Sequence, residues 1–371
     1  TLQQDPSIQV KHLDFNAKLG EHDVHLKDLY LDMPEANLRV DSDVKLDDDY
    51  PLILNAILKV KETELKGHKI TLDAGGSVTD LKASVKLSGG LQANIDVDIQ
   101  PLESTLPFNI KVSKGDMYWP LIGDKIITAL IPTIRVKGDL NKYHFSGSLN
   151  IEGKNIPQTD IHLEGKGDTN SVNLYDLLIE TLGGQVSGGL EIDWRSLLQW
   201  KGDIDLQNIQ PGIQWEAAEG NISGRIETSG SLTDKGGWNA LIPVIDIKGI
   251  FRKYPLDVNG SLFAHDKDGK GEINIDIPSL ALHHGDNGIE VTGEVNKELD
   301  LNVDVNFPEL SDSVPDLYGK LFGEVALTGK VTEPKIELDI DALGLKWNKE
   351  ATLKKASIKG YVVPIPRINP Y

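Results

Sequence analysis

The adjacent pair His283 and His284 is of the type that could hold a metal ion or relay protons. Neighbouring side chains on a strand point to opposite faces, so the two cannot share a ligand without a bend, and they read as turn or strand-end histidines. Asp266-Lys-Asp-Gly-Lys-Gly-Glu272 has part of the spacing of a calcium loop. Its third acidic position is filled by Lys270 and its closing glutamate comes too early, so it reads as a hairpin turn. Gly183-Gly184 and Gly188-Gly189 lack the following helix and the Lys-Ser/Thr of a phosphate cradle. No serine sits in an elbow motif with a His/Asp partner. Carboxylates can be paired on paper for glycoside hydrolysis, but they occupy the polar positions of alternating segments, where a solvated face accounts for them. Trp119, Trp194, Trp200, Trp215, Trp238 and Trp347 could serve as sugar platforms; Trp194 and Trp347 close apolar runs and read as packing at a rim. No catalytic residue, metal site or cofactor is expected, and the chain does not read as an enzyme.

The segments that carry these residues alternate. Ile273, Ile275 and Ile277 are separated by Asn274 and Asp276, and Leu299, Leu301, Val303, Val305 and Phe307 by Asp300, Asn302, Asp304 and Asn306. Ile336, Leu338 and Ile340 repeat the pattern, as do Ile95, Val97, Ile99 and Leu190, Ile192, Trp194. Period two places every apolar side chain on one face of a pleated strand and every acid on the other. Asp47-Asp48-Asp49 reads as a solvated turn. Helical spacing appears at Leu310, Val314, Leu317 and Leu321, with Pro315 tolerable in a first turn, and over Leu121 to Ile131 before Pro132. Two such short helices cannot cover a sheet, and the class is all-β.

Six segments begin Gly-x-Val/Leu and mostly pass into a polar turn: at Gly76, Gly138, Gly230, Gly260, Gly293 and Gly329. Their intervals of 62, 92, 30, 33 and 36 residues approximate multiples of a unit near 31. Such a period marks a stacked, repetitive architecture. With strands of seven or eight residues, each unit is expected to hold about four strands, and the chain on the order of two dozen.

Charge and composition narrow the partners. Lys and Arg total 38 against 57 acids, a net charge of −19, which argues against nucleic acid and against adsorption to an anionic bilayer through a polybasic face. Cysteine is absent, so no disulfide or thiolate chemistry is available. No apolar run approaches the ~20 residues of a membrane-spanning helix, and no signal peptide is present. With no initiator methionine, the chain reads as a segment of something longer.

An alternating sheet needs its apolar face covered, and there are no helices to do so. Successive sandwiches would leave polar linkers, which are not found before about residue 360. A wide membrane barrel would carry aromatic girdles, whereas only 6% of residues are aromatic. The expectation is a single elongated sheet of hairpin repeats, curled into an open groove with an apolar interior. About two dozen strands at ~4.8 Å spacing would extend on the order of 100 Å. Residues 1–360 form this groove segment; 361–371, with Pro364, Pro366 and Pro370, are set apart as a Pro-rich tail. An apolar strip of that extent exceeds what a monomer normally exposes. Taken singly, Ile275 or Leu338 reads as core; taken whole, the face reads as occupied by lipid or unfolded apolar polypeptide.

Gly183-Gly-Gln-Val-Ser-Gly-Gly-Leu-Glu-Ile-Asp-Trp194, Trp200-Lys-Gly-Asp-Ile-Asp-Leu206, Ala218 to Leu232 and Leu321 to Trp347 resemble the repeats of the TamB family of AsmA-like envelope proteins of Gram-negative bacteria. The resemblance covers about residues 70 to 360. It implies a β-taco with an apolar groove, anchored in the inner membrane by an amino-terminal helix that this chain lacks, so that the chain is a middle or later periplasmic segment. It further implies a TamA-like outer-membrane barrel partner for the full-length protein, and roles in phospholipid movement and outer-membrane protein assembly. The function expected is a periplasmic bridge that holds acyl chains and conducts phospholipid between the two membranes, lined by Ile95, Val97, Ile99, Leu190, Ile192, Trp194, Ile273, Ile275, Ile277, Leu299, Leu301, Val303, Val305, Ile336, Leu338 and Ile340. The alternative is a chaperone or scaffold for outer-membrane β-barrel or autotransporter assembly, acting through the groove or through sheet edges.

Overall fold

A computed structural model describes residues 9–62, 64–348 and 351–362. Strands follow one another almost without interruption. The first are β1 (His12–Leu19), β2 (Asp23–Asp32), β3 (Ala36–Lys45), β4 (Leu52–Val60), β5 (Lys69–Gly76) and β6 (Leu81–Ser88). Then come β7 (Gln92–Ile99), β8 (Phe108–Trp119), β9 (Ile127–Gly138), β10 (Tyr143–Gly153), β11 (Ile156–Gly167) and β12 (Ser171–Thr181). They continue with β13 (Gly184–Asp193), β14 (Gln199–Ile209), β15 (Gly220–Leu232), β16 (Trp238–Phe251), β17 (Tyr254–Asp266) and β18 (Asn274–His284). The last are β19 (Asn287–Val295), β20 (Glu298–Phe307), β21 (Leu317–Lys330), β22 (Glu333–Trp347) and β23 (Ala351–Val362). One helical turn, α1 (Leu310–Ser313), and two 3₁₀ turns at 211–213 and 216–218 are the helical elements among the described residues. The fold is all-β: a 23-stranded antiparallel sheet in which, among the described residues, β1 pairs only with β2 and β23 only with β22, so it is not closed into a barrel. The chain divides into two units, residues 1–179 and 180–371.

From β1 to β11 and from β13 to β23 each strand pairs with its neighbour in sequence, and the pairs are fixed by their turns. Asp139 accepts hydrogen bonds from the N–H groups of Asn141 (2.7 Å) and Lys142 (3.0 Å) between β9 and β10. Asn296 Oδ1 does the same for Glu298 N–H (2.8 Å), and Thr233 Oγ1 for Gly237 N–H (2.9 Å). These side-chain-capped turns are the polar half of the repeated Gly-x-Val/Leu segments. The glycine half lies on or beside the strand. A Cβ at Gly293 (φ 124°) would overlap the Asp300 carbonyl oxygen of the neighbouring strand, so glycine admits a backbone approach that no side chain permits.

Two expectations are corrected here. The ~31-residue unit contains one hairpin of two long strands, not four short ones, because interior glycines such as Gly260 in β17 and Gly293 in β19 do not end their strands. The helices expected over 310–321 and 121–131 are absent: α1 stops after Ser313, Leu317 and Leu321 lie in β21, and Ile127 to Ile131 open β9. In both places ladder pairing overrides the helical spacing: Leu321 pairs with Phe307 and Ala342, Ile131 with Gly115. Pro364, Pro366 and Pro370 lie outside the described residues, while Tyr361 and Val362 complete β23.

Candidate functional site

Residues opposite one another in register share a face. In the first unit one apolar row runs through Leu29, Val40, Ala56, Leu72, Val85, Ile95, Val112, Ile134, Gly147 and Leu163, from β2 to β11. Val97 lies in a parallel row between Ala83 and Ile110, and Ile99 in another between Leu81 and Phe108. The opposite face carries Asp41, Asn55, Asp73, Ser84, Asp96, Lys111 and Arg135 in equivalent succession.

The second unit is built the same way. Val186, Leu206, Gly224, Ile247, Val258, Leu282, Ile289, Val305, Gly323, Ile340 and Ile358 form one row from β13 to β23. Leu280, Val291, Val303, Val325 and Leu338 form the next. Ile277, Leu301 and Ile336 fall in a third, and Ile192, Ile275 and Leu299 in a fourth, reached through Trp200, Gly230, Ala240, Ala264 and Val295. Leu190, opposite Gly202, lies on the same face. The other face has Glu290, Asp304, Glu324, Asp339 and Lys359 side by side.

Bulges keep these faces pure. Ile277 and Leu280 are three residues apart, which strict alternation would send to opposite faces. The register shift at Pro278-Ser279 absorbs the extra residue and returns both to the apolar side. Leu26/Leu29, Leu206/Ile209 and Ile242/Ile245 are handled in the same way.

The apolar faces are not packed out. None of the predicted lining residues is buried: all are half-buried except Ile273 and Trp194, which are exposed at strand ends just outside β18 and β13. Trp347, at the end of β22, is likewise exposed. Buried hydrophobic residues among those described are Ala36, Ala93, Ile131, Ile209, Ala281, Leu310 and Ala342, four of them alanines.

The two ends of the second unit's strands differ. At one end the β20–β21 connection crosses the apolar face. His284, in register with Leu256 and therefore on that face, is buried, and its ring nitrogens meet Phe251 O (2.7 Å) and Ser313 Oγ (3.1 Å). Asn287, 1% exposed, donates to Glu309 O (2.7 Å) and Ser313 Oγ (2.8 Å) and accepts from Glu309 N–H (3.1 Å). The rings of Phe251 and Tyr254 pack edge-on to His284. A hydrogen bond to the Asp312 carboxylate, with that group's charge, holds the Tyr254 hydroxyl above its ordinary range. The sequence signal for this network was a histidine at an inward position two residues after Leu282; it was read as a strand end and its partners were missed. His283, on the other face, lies 3.9 Å from Glu290 and shares no ligand with His284.

At the other end a cavity of about 730 Å³ opens among Ile273, Ile275, Val295 and Val331, with Glu272, Lys297 and Lys330 also lining it. The turn beside it is shaped by Asp266, which is 4% exposed. Burial opposes its charge, but the N–H groups of Gly271, Lys270, Asp268 and Gly269 outweigh that and hold the carboxyl below its ordinary range. No group of three or more His, Asp or Glu side chains among the described residues converges as a metal site.

Comparison with known proteins places the chain. The family model described as "TamB, N-terminal domain" matches residues 1–370. The chain belongs to the TamB family. The matched region is that family's N-terminal domain, where the sequence reading placed a middle or later segment, and the match runs through the Pro-rich tail. The "Translocation and assembly module subunit TamB" of Haemophilus influenzae is 25% identical over 372 residues, covering 96% of this chain and 28% of that protein. An uncharacterized protein of Buchnera aphidicola is 24% identical over 213 residues, 57% of this chain and 20% of its own length. The chain thus spans about a quarter of the length of these two relatives. No solved structure matches it. No helix among the described residues is long and apolar enough to cross a membrane.

Proposed function

We propose that the apolar faces of this TamB-family chain bind lipid acyl chains, and that the chain is a periplasmic length of a conduit for phospholipid between the inner and outer membranes. The observation that carries the reading is the succession, within each unit, of apolar rows that stay half-buried from strand to strand. Acyl chains would be held there by dispersion and the hydrophobic effect, at ~25 cal/mol per Å² of apolar surface covered. A floor repeated from strand to strand offers no single deep minimum, so cargo can pass along it. The Haemophilus relative is named as a translocation and assembly module subunit, and the whole protein would meet a TamA-like outer-membrane barrel.

The test is the cargo of the purified protein. Phospholipid is expected in the mass spectrum, and Val303→Asp is expected to reduce it about tenfold or more, since a carboxylate on that floor must stay hydrated. Unchanged lipid content in Val303→Asp would sink the conduit. Trapped outer-membrane polypeptide in place of lipid would establish the scaffold reading instead.

A further inference from the structure

The proposed acyl-binding face leaves open where a headgroup would sit, and the two ends of β17–β22 answer differently. At the α1 end the polar atoms that reach the apolar face are already engaged: His284 with Phe251 and Ser313, Asn287 with Glu309 and Ser313. A headgroup there would have to displace satisfied, buried hydrogen bonds. At the opposite end the ~730 Å³ cavity has an apolar floor, Ile273, Ile275, Val295 and Val331, that continues into the row of Leu299. Its mouth carries charges of both signs. The Lys297 ammonium lies 3.1 Å from the Glu272 carboxylate, while Lys330, in register with Glu298 and Glu333, belongs to the charged face beside it.

We infer that this cavity seats the headgroup of a zwitterionic, amine-bearing phospholipid, phosphate toward Lys297 and ammonium toward Glu272, with the acyl chains on the rows inside; the inference rests on the acyl-binding reading above. Charge complementarity selects the class. A mouth where the Lys297 ammonium meets the Glu272 carboxylate matches a headgroup that bears both signs, each protein charge exchanging one partner for another. An anionic headgroup would leave Glu272 facing like charge and would approach a chain of net charge −19.

Two measurements test it. Phosphatidylethanolamine carrying a photoreactive group either in the headgroup or near the acyl terminus is bound to the purified protein, and the crosslinked peptides are mapped. The headgroup probe is expected on residues 296–297 and 330–332, and the acyl probe on the rows around Val303 and Val325. Headgroup labelling on residues 309–316, or evenly along both ends, overturns the inference and leaves acyl binding standing; absence of acyl labelling overturns the reading beneath it. In the second measurement phosphatidylethanolamine competes with phosphatidylglycerol of the same chains. Lys297→Glu is expected to shift the retention ratio by about two- to fivefold, the range of an exposed ion pair, with Lys297→Arg restoring it. A ratio identical in wild type and Lys297→Glu overturns the assignment.

Discussion

The opposite ends of one set of strands have been given opposite treatments. At the α1 end four polar side chains, His284, Asn287, Ser313 and Tyr254, lie against or within the apolar face, and the connection between β20 and β21 closes over them. At the Lys297 end hydrophobic side chains stand open to solvent with charges beside them. Burying a polar group is tolerated only when it is satisfied, so the closed end is a network in which each member depends on the others. At the open end the buried Asp266 is satisfied within its own turn, by N–H groups of residues 268–271, and does not tie separate elements together. Stability should therefore be concentrated at one end and binding capacity at the other.

The sharpest way to break this contrast is Asn287→Leu. The leucine is close in size but leaves the Glu309 backbone and the Ser313 hydroxyl without their partner in a buried site. A loss of about 2–3 kcal/mol is expected in urea unfolding, together with faster amide exchange over residues 309–316. The matched change at the open end, Val331→Ser, removes a side chain that is 52% exposed and should alter stability by no more than about 0.5 kcal/mol. Similar costs at the two positions would dissolve the distinction.

A smaller effect refines it. Ser313 bridges His284 and Asn287, so Ser313→Ala removes one hydroxyl from a network whose remaining members can still pair with Phe251 O and Glu309 O. About 1 kcal/mol is expected, less than for Asn287→Leu. If Ser313→Ala costs more, the hydroxyl and not the amide is the centre of the seal.

How much of this was legible depends on which force set each feature. Period two in Ile273 to Ile277, Leu299 to Val305 and Ile336 to Ile340 is a hydrophobic signal, and the register confirms that it sorts the faces. Strand length was misread because glycine has two uses. At Gly138 it precedes a turn, whereas at Gly293 it admits the Asp300 carbonyl and the strand runs on. The helix expected from Leu310 to Leu321 has the right spacing, but one turn is all that forms before β21 pairs with both β20 and β22. The hydrogen bonds of His284 join residues up to 33 positions apart, that of Tyr254 with Asp312 reaches further still, and no local pattern reports them. The charged mouth is invisible for the same reason: Glu272 and Lys297 belong to two different hairpins.

The subtlest separation of the two ends is by pH. Asp266 shapes the turn at the open end, and its folded-state pKa lies below the ordinary value. Its contribution is therefore present above an unfolded pKa of about 3.9 and is lost as pH falls through the folded value. Tyr254 at the closed end has the reverse sign. Its hydroxyl donates to Asp312 and its folded pKa is raised, so its contribution is complete below about pH 10 and is lost as pH climbs through the folded value. Amide exchange read at Lys270 and Gly271, whose N–H groups are 3.3 and 2.7 Å from the Asp266 carboxylate, should accelerate beyond the intrinsic pH trend only on the acid side. Exchange at Val314, whose N–H bonds Leu310 O at 2.8 Å, should do so only on the alkaline side, and Tyr254→Phe should remove that alkaline response. Loosening of both ends together at either extreme would mean that they open as one cooperative body, and the division between a sealed end and an open one would then describe contacts without describing energetics.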